Sequence, residues 1–176
     1  EKESEKYWRM RRDSFALLRK HSGQKHTAPF IDDVIVPPSA LPQFLPRINA
    51  ILAEYKNLMI YTIAGHAGNG NFHIIPLMDF SDPHVREVIV PISEKVYALV
   101  NEYGGSITAE HNDGIVRTPF LASMFGDNVV ALFAEIKNAF DPKIIFNPGK
   151  KVGVTKEYLL AHIETPKTAE VNKHGS

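Results

Sequence analysis

The 176-residue chain has a composition that excludes several classes of protein. Its 20 basic and 20 acidic residues give a formal net charge of +0 at pH 7, so it lacks the broad positive field with which proteins bind nucleic acid. It contains no cysteine, which excludes disulfides, thiolate metal ligands and iron–sulfur clusters and leaves histidine and carboxylate as metal ligands.

The length predicts one domain. We expect residues 1–164 to form this domain and residues 165–176, which include Pro166 and Gly175, to be a disordered tail. The chain begins with Glu rather than Met, its first residues are too charged for a signal peptide, and no stretch approaches the roughly 20 apolar residues of a membrane span. The chain is therefore either a processed protein or a piece of a longer one, and we expect it to lie in the cytoplasm or to be peripherally attached to the inner membrane.

The first third of the chain predicts a helix, a loop and a strand. Apolar spacing favours a helix from Ser4 to Lys20 with Trp8 toward a core. The polar segment from Ser22 to Phe30 is typical of a loop. The segment from Asp33 to Val36 predicts a short buried strand, which Pro37 ends.

Three later segments have the apolar spacing of amphipathic helices. We expect Ser39 and Asn128 to be the N-caps of the first and third, and Asp82-Pro83 to open the second, which ends at Gly104-Gly105. Pro91 should kink the second helix or mark its true start. The apolar positions are Leu41, Phe44, Leu45, Ile48, Ile51, Leu52 and Tyr55, then Val85, Val88, Ile89, Ile92, Val96, Leu99 and Val100, then Val129, Leu132, Phe133, Ile136 and Phe140.

A hairpin precedes the second helix, and a strand from Ser106 to Glu110 follows it. The resulting order of elements predicts an α+β fold, with a ferredoxin-like antiparallel sheet that has helices on one face. The other face would meet water in an isolated domain, or another domain in a larger protein.

The hairpin contains the sequence Gly-His-Ala-Gly-Asn-Gly-Asn-Phe-His-Ile from Gly65 to Ile74. Asn69-Gly70 predicts a two-residue type I′ turn, because Asn and Gly best tolerate a positive φ at both central positions. That turn would pair His66 directly with His73, with Cβ atoms about 4.5–5.5 Å apart, so the two rings could bind one cation.

Glu110-His111 lies at the end of the last predicted strand and supplies a third ligand and a base. Two His and one Glu leave open positions on the ion, for which Zn²⁺ is preferred and Mn²⁺ or Fe²⁺ are alternatives. Adjacent strand residues point to opposite faces, so the strand must end or bulge near Asn112 if both side chains are to reach one site.

These motifs resemble the three signatures of the C-terminal domain of FAD-linked oxidases, a family that includes flavin-dependent D-lactate, glycolate and D-2-hydroxyglutarate dehydrogenases. The signatures are the hairpin, Glu110-His111, and the block from Asp141 to Lys150. The chain departs from them at Asn69, where Asp is usual, and at Asn112, where Gly is usual. The first departure leaves the turn intact, whereas the second could alter the pocket.

The resemblance implies a role for each site residue. His66, His73 and Glu110 would bind the metal, and His111 would be the catalytic base. Arg11, with Arg12 as its register alternative, would bind the substrate carboxylate. Asn71 and Asn147 would contact the cofactor.

The leading hypothesis is the substrate- and metal-binding domain of an FAD-dependent 2-hydroxy-acid dehydrogenase. FAD would be bound mainly by a flavin-binding domain of the same protein. The sequence does not fix the oligomeric state, for which a homodimer is one alternative. Some family members place a substrate-binding Lys where this chain has Ile31, which favours a short monocarboxylate such as D-lactate or glycolate. The alternatives are a metal-dependent hydrolase with the same ligands and a non-catalytic interaction domain.

Overall fold

The computed structural model describes residues 4–10, 12–13, 23 and 25–163. Residues 4–10 and 12–13 are helical, in agreement with the first predicted helix. The side chain of Trp8 is exposed, so its predicted place in the core is wrong; apolar spacing identifies the face of a helix but not whether another element packs on it. The predicted substrate ligand, Arg11, and the predicted tail, 165–176, lie outside the described residues.

The sheet is antiparallel and is organised around one long strand. Its members are β1 (His26–Thr27), β2 (Val34–Ile35), β3 (Met59–His66) and β4 (Asn71–Met78). Strand β4 pairs along its whole length with β3 on one side. On its other side it pairs with β1 near its end and with β2 near its start. The chain between β1 and β2 therefore leaves the sheet opposite the middle of β4.

Two predictions about strands are corrected. The segment predicted as a loop from Ser22 to Phe30 contains β1, which is only two residues long and has no alternating pattern to reveal it. The predicted strand from Ser106 to Glu110 is reduced to a single bridge between Ser106 and Ile35. It ends early because the backbone N–H groups that follow bind a side chain instead of a neighbouring strand.

Three of the helices agree with the predicted amphipathic segments; of the shorter ones, two lie between the second and third of these and one follows the third. These helices are α1 (Leu41–Ala53), α2 (His84–Glu102), α3 (Gly114–Arg117), α4 (Ala122–Phe125), α5 (Asp127–Phe140) and α6 (Lys156–Ala161). Helix α2 continues through Pro91. Neither predicted N-cap is correct: Ser39 lies inside a 3₁₀ turn, Pro38–Ala40, and Asn128 lies inside α5. Among the helices described here, none is long and apolar enough to cross a membrane.

The two faces of the sheet differ in character. Helices α1 and α2 cover one face, where their predicted apolar positions join Phe72 and Ile74 of β4 in the core. Alternate residues of the strands point the other way, among them Ile60, His66 and His73, since side chains of a strand alternate between faces. The predicted α+β fold with an antiparallel sheet is confirmed, and both histidines lie on the face that α1 and α2 leave open.

The predicted register of the hairpin is wrong by two residues. His66 pairs with Asn71, and His73 pairs with Ala64. A 3₁₀ turn occupies Ala67–Asn69, and only Gly70, with φ 74°, takes the left-handed conformation. The loop is therefore longer than a type I′ turn, which needs positive φ at two positions. Because side chains repeat every two residues along a strand, a shift of two leaves both histidines on the same face.

Helix α5 exposes most of its predicted apolar face. Leu132, Ile136 and Phe140 are all largely exposed, and so are Ile144 and Phe146 just beyond the helix. The helix itself is confirmed. Its Phe133 packs edge-on against Phe125 of α4, with ring centroids 5.6 Å apart, but most of its apolar face stays exposed within the described part of the chain.

Candidate metal centre

The carboxylate of Glu110 lies among three imidazole rings. Its Oε1 is 2.9 Å from Nε2 of His73, 3.5 Å from Nε2 of His66 and 3.7 Å from Nε2 of His111. The rings of His66 and His73 are 5.8 Å apart between centroids, a diagonal rather than a direct cross-strand pair. The four residues predicted as metal ligands and base are thus together at the open face of the sheet.

Asp33 explains how the adjacent side chains of Glu110 and His111 reach the same site. Its carboxylate accepts hydrogen bonds from the backbone N–H groups of Ala109, Glu110 and His111, at 3.0, 3.0 and 2.8 Å to Oδ2. These bonds curl the chain around the carboxylate, so the strand ends and its alternation of faces ends with it. The predicted end of the strand near Asn112 is therefore corrected: pairing with a neighbouring strand stops at Ser106, and the cause lies in another element.

Asp33 is completely buried, and its neighbours keep it ionised. Burial raises the pKa of its carboxyl group, but the hydrogen bonds from the backbone of His111, Ala109 and Glu110 and from the side chain of Asn71 outweigh burial and hold the pKa below its ordinary value. An Nη2 of the buried Arg117 lies 3.5 Å from Oδ2.

The chain leaves the site through Asn112, which has a φ of 69°. This is the left-handed region, which Asn tolerates better than most residues other than Gly. Asn112 therefore keeps the backbone conformation that a Gly would adopt at this position. The departure from the family pattern leaves the path of the chain unchanged.

Asp32 lies on the other side of the rings of His73 and His111 from Glu110. Its Oδ1 is 3.1 Å from Nδ1 of His73, and its Oδ2 is 3.3 Å from Nδ1 of His111. The two rings are stacked, with centroids 4.8 Å apart and planes 11° from parallel. The site thus has one carboxylate at the Nδ1 side of both rings and another, Glu110, at their Nε2 side.

The donor set suits a divalent cation. One ligand atom from each of Asp33, His73, Glu110 and His111 lies within 4.8 Å of the others. Asp33 is occupied by backbone N–H groups, so Glu110, which is half exposed, is the carboxylate that can face an ion. Nitrogen and carboxylate donors without sulfur fit Zn²⁺, Mn²⁺ or Fe²⁺.

The two residues predicted to contact the cofactor differ in their surroundings. The side chain of Asn71 is buried and donates to Asp33 Oδ1 at 3.1 Å and to the carbonyl of Val34 at 3.3 Å, which makes it a support of Asp33. Asn147 is exposed and lies with His111 at the wall of an open cavity of about 710 Å³. Their contacts with a cofactor stay predictions.

Sequence reasoning missed three residues of the site: Asp32, Asp33 and Arg117. Two consecutive carboxylates directly before a buried strand were a usable signal, because a carboxylate at a buried position needs hydrogen bonds or a cation. The backbone N–H groups that bind Asp33 lie more than seventy residues away and Asn71 lies 38 residues away, so the sequence alone did not identify them.

The chain matches known proteins over most of its length. Residues 1–151 match the family model described as FAD linked oxidases, C-terminal domain. The chain is 34% identical over 146 residues to a D-2-hydroxyglutarate dehydrogenase of Pantoea ananatis, which covers 83% of this chain and 14% of that protein. It is 34% identical over 119 residues to a D-lactate dehydrogenase of Anaerostipes hadrus. That match covers 67% of this chain and 25% of the relative.

A third relative is the glycolate oxidase subunit GlcD of Escherichia coli, with 30% identity over 152 residues, which is 86% of this chain and 29% of that protein. The chain thus spans 14–29% of the length of these three relatives. Because the family model covers most of the chain, and residues of all three predicted signatures lie within the match, the chain belongs to the C-terminal domain family of FAD linked oxidases.

Proposed function

We propose that this chain is the substrate- and metal-binding domain of an FAD-dependent 2-hydroxy-acid dehydrogenase of the D-lactate or glycolate type. The proposal depends most on one observation, the convergence of His66, His73 and His111 on the carboxylate of Glu110. Family membership favours this reaction over the hydrolase and the interaction domain that the sequence left open.

The ligands that we assign to the cation are His66, His73 and Glu110. A divalent cation held there would polarise the hydroxyl of a bound 2-hydroxy acid and lower its pKa. His111 would take the hydroxyl proton at Nε2, the ring nitrogen on the same side as Glu110. FAD, bound by the rest of the full-length protein, would accept the hydride from Cα.

We infer that the substrate has a single carboxylate from Ile31 and the two residues that follow it. Ile31 is completely buried, and the carboxylates of Asp32 and Asp33 follow it, so this segment supplies no cation for a second substrate carboxylate. The names of the relatives do not decide between one and two substrate carboxylates, since they include a D-lactate dehydrogenase, a glycolate oxidase subunit and a D-2-hydroxyglutarate dehydrogenase.

Metal binding can be tested on the chain itself. We expect wild-type protein to bind one equivalent of Zn²⁺ in a calorimetric titration and His73→Ala to lose this binding with an unchanged circular dichroism spectrum, because His73 lies on the open face. His84→Ala is the matched control, since His84 lies at the exposed start of α2 and pairs with Glu87. Equal affinity in all three proteins would overturn the metal assignment.

The reaction can be tested on the complete protein with its flavin. We expect reduction of the flavin by D-lactate or glycolate to exceed reduction by D-2-hydroxyglutarate, compared as kcat/KM. His111→Gln should lower kcat by about 10²–10⁴-fold, the usual contribution of a general base. A preference for D-2-hydroxyglutarate would overturn the substrate assignment and leave the metal site standing.

A further inference from the structure

We propose that Asp32 is a positioning residue that fixes the tautomers of His73 and His111 at the same time. The inference rests on the proposed function, in which His73 binds the metal and His111 takes the substrate proton. It adds one carboxylate that controls the proton position in both rings.

Each carboxylate oxygen of Asp32 contacts one imidazole ring. Oδ1 is 3.1 Å from Nδ1 of His73, and Oδ2 is 3.3 Å from Nδ1 of His111. The stacked, nearly parallel rings bring both Nδ1 atoms to the same edge of the pair. The contact with His73 has hydrogen-bond geometry and the contact with His111 lies at hydrogen-bond distance, so we infer that the one carboxylate accepts from both rings.

An ionised carboxylate can only accept hydrogen bonds, so it selects the tautomer with the proton on Nδ1 in both rings. The Nε2 atoms then present lone pairs on the opposite edge, where Glu110 Oε1 lies 2.9 Å from Nε2 of His73. A proton on Nε2 or a metal ion must lie between two electron-pair donors at that distance, and a metal ion bound there would leave the proton of His73 on Nδ1. Asp32 thus favours the protonation state in which the site binds a metal and His111 can accept a proton.

The position of Asp32 is itself well supported. Nη1 of the buried Arg117 donates to the backbone carbonyl of Asp32 at 3.0 Å, and the next residue, Asp33, is held by three backbone N–H groups. The side chain of Asp32 is only 13% exposed, so water competes weakly for its oxygens.

The substitution Asp32→Asn separates this role from simple packing. An amide of the same shape has one acceptor and one donor group, so it can accept from one Nδ1–H but faces the other ring with N–H. That ring must turn or move its proton to Nε2. Asp32→Glu keeps both acceptors and is the matched rescue variant.

The test combines nuclear magnetic resonance with a Zn²⁺ titration of the chain. Long-range ¹⁵N–¹H correlations at about pH 8.5, about two units above the ordinary imidazole pKa, show which nitrogen of His111 carries the proton. In wild type and Asp32→Glu we expect Nδ1–H. In Asp32→Asn we expect a new population with Nε2–H on His111 or His73 and about 10–100-fold weaker Zn²⁺ binding, the usual effect of losing a carboxylate behind a metal-binding histidine.

Unchanged tautomers and unchanged Zn²⁺ affinity in Asp32→Asn would overturn the inference while leaving the metal site intact. Failure of wild type to bind Zn²⁺ would instead overturn the metal assignment. In that case the tautomer of His111 in the metal-free chain still decides the role of Asp32, because the contact between Asp32 and His111 does not involve the ion.

Discussion

The two faces of the sheet show how one strand can serve both folding and binding. Phe72 and Ile74 of β4 are buried against helices α1 and α2, whereas His73 between them points to the open face. The first face holds the apolar core, and the second holds the polar groups that can bind a cation. Substitutions on the two faces should therefore affect different properties of the molecule.

The largest effect on stability should come from the core face. Phe44 of α1 is completely buried and stacks at 6.2 Å on Phe72 of β4. Phe44→Ala should lower the free energy of unfolding by about 3–5 kcal/mol, because it removes buried apolar surface and leaves a cavity. Urea unfolding followed by circular dichroism measures this loss.

The matched control is Ile60→Ala, which truncates a half-exposed residue on the open face of β3. We expect a loss of less than about 1 kcal/mol for this change. Similar losses in both variants would mean that the open face is also packed, and the distinction between the two faces would fail.

The next largest effect on stability should come from Asp33, the buried carboxylate that holds the backbone of Glu110 and His111 in the site. Asp33→Asn replaces a buried, ionised acceptor by an amide and weakens the bonds to the backbone of Ala109, Glu110 and His111. We expect a loss of about 2–3 kcal/mol in the free energy of unfolding, together with weaker Zn²⁺ binding.

Asp32→Asn is the neighbouring comparison for this change. It should reduce Zn²⁺ affinity with a loss of less than about 1 kcal/mol in stability, since its carboxylate contacts side chains of the site rather than backbone N–H groups. If Asp33→Asn left stability unchanged and Asp32→Asn lowered it, the roles assigned to the two carboxylates would be exchanged.

The sequence was sufficient to predict features that depend on local patterns. The apolar spacing of α1 and α2, the hairpin and the shared face of His66 and His73 all follow from periods of 3.6 or two residues. The register was wrong because Asn69-Gly70 satisfies the local preference of a type I′ turn, while the observed turn needs positive φ at Gly70 alone.

The features that the sequence did not predict depend on distant contacts. The end of the strand before Glu110 is determined by Asp33, more than seventy residues earlier. The exposure of Leu132 and Ile136 on α5 could not be predicted from their spacing, which is the same for a buried and an exposed helix. Local patterns therefore identified the candidate metal ligands but not the carboxylates that contact them.

The turn that contains Gly70 joins strands β3 and β4, and the substitution of Gly70 should have an intermediate effect on stability. A Cβ at this position would lie 1.9 Å from the carbonyl oxygen of Val36, and its φ is 74°. Gly70→Ala should therefore cost about 2 kcal/mol, from the left-handed conformation and the displacement of Val36.

Gly68→Ala, two residues earlier in the same turn, is the matched control. Its φ lies outside the left-handed range, and a Cβ there would meet no atom within 4 Å. We expect a change within about 0.5 kcal/mol. Equal effects of the two substitutions in urea unfolding would contradict the left-handed conformation of Gly70 and its close approach to Val36.

The smallest effect concerns a turn outside the sheet and appears as a dependence on pH. Nζ of Lys137 lies 2.5 Å from Oδ2 of Asp141, and the backbone N–H groups of Ile145 and Phe146 each donate to this carboxylate at 3.0 Å. The bond from Lys137 has the largest influence, and with the two N–H groups it holds the pKa of Asp141 below its ordinary value although burial acts in the opposite direction.

The sign of the pH dependence follows from this lowered pKa. An unfolded Asp has a pKa of about 3.9, so the stabilisation is fully present above that pH and is lost as the pH falls through the lower pKa of the folded state. The difference in unfolding free energy between wild type and Asp141→Asn should therefore be constant near neutral pH and shrink in acid. Lys137→Met removes the largest cause of the shift and should make the difference less dependent on pH. A difference that grows in acid would mean that the carboxyl group is bound in its protonated form, contrary to the contacts with Lys137 and the two N–H groups.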